Sequence, residues 1–139
     1  MISPLIETTR GWELSVQGWK VTRCFLDPAA FGFLVDGGTG DILRLYVEGQ
    51  FTFVRASGAA TFGTSDQDPT DYAPLLSLMG AAVAAVEISS DGELRVAFES
   101  GDEIQVAPDP DYEAWELEGL GRLMVACTPG GGQPSIFNG

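Results

Sequence analysis

The chain has 139 residues, 45% of them hydrophobic and 19% charged, with a formal net charge of −13. That length fits one domain with a real core, and the balance is globular rather than disordered. A strongly negative field disfavours nucleic-acid backbones and anionic membranes as partners and speeds encounter with basic proteins.

The charge is unevenly placed. Residues 1–65 hold six acids and five bases, whereas residues 66–139 hold fourteen acids against Arg95 and Arg122. No apolar run approaches the roughly 20 residues of a membrane helix. The start, Met1 to Glu7, lacks the basic and apolar stretches of a secretion signal, so a cytoplasmic protein is expected. Without an export signal, Cys24 and Cys127 are expected as free thiols in apolar strands; a bridge between them is the alternative.

In chain order, Trp12, Leu14 and Val16 suggest a leading strand. A β-meander follows over residues 18–55, with a long glycine-rich turn at Asp36–Asp41. Residues 56–68, rich in Gly, Ser, Thr and Asp, read as an exposed loop. A short helix is predicted near 71–80, capped by Thr70 or Asp71, with Pro74 in its first turn and Gly80 at its end. Leu75, Leu78 and Met79 lie at helical spacing and are expected to pack on the sheet.

A second meander covers residues 80–117. Leu94, Val96 and Phe98 alternate with Arg95, Ala97 and Glu99, and Ile104 and Val106 alternate with Glu103 and Gln105. Asp91-Gly92 and Ser100-Gly101-Asp102 are its turns. Further strands are expected over Arg122 to Cys127 and at Ser135-Ile136-Phe137. The two meanders align as an internal repeat, Gly18, Val21, Cys24 and Leu26 matching Gly80, Val83, Val86 and Ile88 at an offset of 62. Phe31, Phe33 and Val35 then match Leu94, Val96 and Phe98; Leu43 and Leu45 match Ile104 and Val106; Phe51 and Val54 fall opposite Tyr112 and Trp115. The expectation is a single, mainly β domain over 1–139: two repeated meanders joined by one short helix, as a sandwich or a partly open barrel.

Histidine is absent. That removes Ser-His-Asp and Cys-His nucleophiles, histidine bases and histidine metal ligands together. Pro129 to Pro134 has neither a Lys-Ser/Thr nor GxGxxG spacing, so it is a turn rather than a phosphate loop. Nothing marks any carboxylate pair as catalytic, and Asp66, Asp68 and Asp71 depart from the EF-hand spacing. A non-enzymatic protein is expected, with no cofactor and no metal.

The segment that stands out runs from Pro108 to Leu117. Its prolines stiffen the approach to a strand, and two aromatics lie among four acids. One reading is a rigid corner whose Trp115 plugs the core. The other is a ledge for a basic protein surface, formed by Asp109, Asp111, Tyr112, Glu113, Glu116 and Glu118, with aromatic anchor area beside carboxylates that pair with Arg or Lys.

Here the sequence resembles an uncharacterised family of small bacterial proteins, commonest in actinobacteria. The resemblance rests on Gly92 to Phe98, Gly101 to Val106, Pro108-Asp109 with Tyr112 to Trp115, and Pro129-Gly130-Gly131. It implies an immunity-like protein of a bacterial toxin system, and it carries no active site. The expected function is therefore blockade of a basic toxin domain, a nuclease being one candidate. The alternatives are a scaffold domain that self-assembles and a small-ligand binder using a cleft between the β units.

Overall fold

The computed structural model describes residues 5–27, 30–48, 50–63 and 69–138. Thirteen strands fall among them: β1 (Leu5–Thr8), β2 (Gly11–Leu14), β3 (Lys20–Asp27), β4 (Ala30–Asp36), β5 (Ile42–Val47), β6 (Phe51–Val54) and β7 (Ala60–Gly63) precede a 3-10 helix (Pro69–Leu78). β8 (Val83–Ser89), β9 (Leu94–Phe98), β10 (Glu103–Val106), β11 (Trp115–Gly119), β12 (Leu123–Ala126) and β13 (Ser135–Asn138) follow it.

The strands form two antiparallel sheets, ordered β1-β2-β8-β9-β10-β6-β7 and β13-β12-β11-β5-β4-β3. They do not close into a barrel, so the architecture is a β-sandwich. Each meander supplies three adjacent strands of one sheet, β8–β10 in the middle of the first and β3–β5 at one end of the second, and then sends its next strand to the other. β6 leaves the first meander to pair with β10, and β11 leaves the second to pair with β5.

Period-two patterning sets which face is dry. Leu94, Val96, Phe98, Ile104 and Val106 face Phe31, Phe33, Val35, Leu43 and Leu45 across one continuous core. Arg95, Glu103 and Gln105 turn outward, where Arg95 pairs with Glu87 at 3.0 Å and with Glu103. The sheets touch through Phe33 and Phe98, whose ring centroids are 6.4 Å apart.

The helix closes one side of the sandwich. Its Tyr72 ring stacks on Phe51 of one sheet and Phe31 of the other, at 5.4 and 6.2 Å. Tyr72, Leu75 and Leu78 are buried while Met79 is 51% exposed. A 3-10 helix has three residues per turn, so its inward face repeats at i, i+3 and i+6. The expected packing of Met79 is therefore corrected. The side chains of Thr70 and Asp71, expected as caps, lie outside the described residues, as do Asp66 and Asp68.

Three further differences concern strands. β1 precedes the expected leading strand and pairs with it as a hairpin. That leading strand ends at Leu14, although Val16 is also buried. β7 lies inside the segment read as loop, because pairing with β6 supplies the ladder its weak local pattern does not announce. Both cysteines are free thiols.

Candidate functional site

The segment Pro108 to Trp115 bends from β10 towards β11 and is held by its neighbours on three sides. The Gly130 amide donates to the Asp109 carbonyl at 2.7 Å, and the Gly132 amide to the Asp91 carbonyl at 2.8 Å. The Trp115 indole Nε1 donates to the Gly92 carbonyl at 2.9 Å, and the Cys127 Sγ lies 3.5 Å from the same oxygen. Gly92 has φ +97°, and a Cβ there would meet the Gly132 carbonyl at 3.0 Å. A side chain there would be strained by the backbone conformation and crowded by the close approach of the second loop. The Asp-Gly turn, the Pro-Asp segment, Trp115 and the Pro-Gly-Gly loop thus form one interlocked corner.

Trp115 is fully buried, so its ring belongs to the core. The Asp109 carboxylate accepts the Asp111 amide at 2.9 Å, a local turn bond that stiffens the segment. Asp111 and Glu113 are exposed, while Asp109 and Tyr112 are partly buried.

Beyond the corner, β11 alternates Trp115 and Leu117 inward with Glu116 and Glu118 outward. Antiparallel register sets Glu116 opposite Tyr46 and Glu118 opposite Arg44 on β5. Arg44 pairs with Glu118 at 3.3 Å, and the Tyr46 hydroxyl donates to Asp27. These four side chains of β5 and β11 line a hollow of about 270 Å³.

The carboxylates here feel one another. Partial burial, then the Glu113, Glu48 and Glu118 charges, push the Glu116 carboxyl above its ordinary value. Glu48 is raised by burial, Glu113 and Asp27. The hydrogen bond to Asp27 pushes the Tyr46 hydroxyl up to about 12. Glu113 and Asp109 also add to the rise that burial gives the Cys127 thiol.

The structure therefore gathers Glu113, Glu116 and Glu118 into one acidic field, with Asp109 at its inner margin and Asp111 on the exposed loop. It adds Asp27, Glu48 and Tyr46, which sequence reasoning missed. The outward alternation of Arg44, Tyr46 and Glu48 was the available signal, but only strand pairing brings residues so far apart in sequence together. The same outer face is cationic and aromatic further along. Arg44 lies over the Phe25 and Tyr46 rings at 5.7 and 5.3 Å, and Arg23 over Phe25 at 5.4 Å.

Among the described residues, no group of three or more Cys, Asp or Glu side chains is placed to hold a metal ion. No helix among them is long and apolar enough to cross a membrane.

Fold and surface together define a two-sheet β protein with an acidic corner beside a cation-aromatic strip. The chain belongs to a family of unknown function (DUF6188), whose family model matches residues 12–133. Neither the curated proteins nor the solved structures contain a match to it.

Proposed function

We propose that this protein is a non-enzymatic, cytoplasmic, immunity-like domain that binds and neutralises a basic toxin domain, a nuclease being one candidate. The observation that carries this reading is the acidic corner, where Asp27 of β3, Glu116 and Glu118 of β11, and Glu48 and Glu113 beside the ends of β5 and β11 come together. Carboxylates crowded enough to raise one another's proton affinity gain most from a cationic partner, because its arrival relieves their repulsion. The interlocked Asp109 segment supplies a rigid base, which lowers the ordering cost of binding. Tyr112 and Tyr46 add aromatic area of the kind enriched at interfaces. The stretch Tyr112-Glu113-Ala114-Trp115 resembles an uncharacterised family of small bacterial proteins, a resemblance that implies an immunity-like role and so favours the same partner class.

The inter-sheet space is occupied by the core, and the mapped hollows lie on outer faces and edges. That weighs against a small ligand held in a cleft between the β units.

The test is a low-salt pull-down from the native host with the tagged protein. The expected result is a basic toxin-like partner that salt releases and that is lost when Glu113 and Glu116 are reversed to Lys. Recovery of no such partner, or binding indifferent to both salt and reversal, overturns the reading.

A further inference from the structure

Register builds the cation-aromatic strip that borders the acidic corner. β3, β4 and β5 pair so that Arg23, Leu34 and Arg44 form one row on the outer face, and Phe25, Gly32 and Tyr46 form the next. β11 continues both rows, with Glu118 opposite Arg44 and Glu116 opposite Tyr46. Gly32 has no side chain to part its neighbours: a Cβ there would lie 2.9 Å from the Tyr46 ring and 3.1 Å from the Phe25 ring. The two rings therefore lean over bare backbone, and Arg44 reaches both of them. Arg23 lies over Phe25 as well. A ring attracts a guanidinium through its charge, so the N–H donors stay available to a second partner.

The two arginines differ in what they hold. Arg44 is engaged by Glu118 at 3.3 Å. Arg23 is exposed and has no ion pair within 4.0 Å among the described residues. Asp27 of the acidic corner lies on the same strand and the same outer face, four residues on. At the rise of an extended strand that is about 13 Å. One face thus carries an unpaired cation and crowded carboxylates at a fixed separation. Resting on the toxin-blocking reading above, we propose that Arg23 is the second, oppositely charged half of that interface. It takes a carboxylate of the basic partner, which presents that group about 13 Å from the cations entering the corner.

Charge complementarity selects this occupant. A surface that is basic throughout gains from the corner but is repelled at Arg23, whereas one with a carboxylate in register is attracted at both places. The arginine fork matches a carboxylate in a two-pronged pair. Because a like-charge contact rejects other basic proteins, Arg23 contributes specificity as well as affinity. A small phosphate compound suits the guanidinium but meets the field of carboxylates four residues away. A second copy of the chain sets −13 against −13.

The experiment extends the low-salt pull-down to three baits: the unaltered chain, Arg23→Glu, and Glu113→Lys combined with Glu116→Lys. The protein retained by the unaltered chain is identified by mass spectrometry, purified and titrated against each bait by calorimetry. Arg23→Glu replaces a positive charge by a negative one, taking −13 to −15, so a partner held by acidity alone binds it as tightly or more tightly. The expected result is the opposite, a loss of about tenfold or more in affinity with an unchanged melting temperature. Arg23→Gln, which removes the charge without reversing it, should fall between the two. Undiminished binding by Arg23→Glu overturns this proposal, and loss on reversing Glu113 and Glu116 then leaves the toxin-blocking reading standing. Binding that Arg23→Glu abolishes and the double reversal leaves intact overturns the acidic corner as an interface, and the two-signed footprint with it. Recovery of no partner, or of the chain alone, overturns both.

Discussion

Trp115 shows how one side chain fixes a corner. Its ring fills the core while its Nε1 takes the Gly92 carbonyl, an acceptor also approached by the Cys127 Sγ. Trp115→Phe keeps an aromatic ring but deletes that donor and part of the volume. It should cost about 2–4 kcal/mol, combining a lost buried hydrogen bond with a partial cavity, read as a fall in denaturation midpoint. Gly92 belongs to the same lock, for its positive φ would strain a side chain and the Gly132 carbonyl would crowd it. By contrast, Arg95 between Glu87 and Glu103 is a surface cation, 41% exposed. Arg95→Met should change stability by less than about 1 kcal/mol in the same measurement, because exposed ion pairs are screened and entropically costly.

At the scale of elements, the seam between β5 and β11 carries like charges that the fold forces together. The Glu116 carboxyl is raised in the folded state by burial and by Glu113, Glu48 and Glu118. A raised carboxyl binds more protons folded than unfolded, so its contribution to stability is complete below the ordinary carboxyl range and is lost as pH rises through the raised value. Glu116→Gln should therefore raise the melting temperature at pH 7. The gain should vanish at pH values below the ordinary carboxyl range, where both proteins carry a neutral group. Equal melting curves at neutral pH would remove the argument.

The two meanders also correspond as elements. Val21 pairs with Val35 and Cys24 with Phe33, as Val83 pairs with Phe98 and Val86 with Val96. A register irregularity falls between Val21 and Arg23 in one and between Val83 and Ala85 in the other. We propose duplication of one meander on this correspondence. It requires a different alignment beyond the glycine-rich turn. Phe33 meets Leu45, twelve positions on, whereas Val96 meets Ile104, eight positions on. Leu45 thus stands where Ile104 does, not Leu43, because the longer first turn absorbs four residues.

For the whole molecule, the net charge of −13 governs encounter more than affinity. The association rate with the proposed basic partner should fall by about tenfold or more between low and near-molar salt, while the dissociation rate changes far less. Stopped-flow kinetics check this, and an association rate insensitive to salt would exclude electrostatic steering.

Alternation in β9, β10 and β11 was legible in the sequence because a half-buried strand writes its dry face into every second residue. So were the turns at Asp91-Gly92 and Ser100-Gly101-Asp102, the short helix between the meanders and the burial of Trp115. The helix type was not legible, because Tyr72, Leu75 and Leu78 satisfy a three-residue period that local propensity does not announce. β7 was hidden for a related reason: its strand character comes from pairing with β6. Of the acidic corner, the sequence by itself determined only that Glu113, Glu116 and Glu118 lie close together, since they share one short segment. Only the tertiary structure decided that Asp27, Glu48 and Tyr46 join them, and that Arg23 stands on the same face. Which side chains meet across a sheet depends on register and on strands crossing between sheets, and neither is encoded in nearest neighbours along the chain.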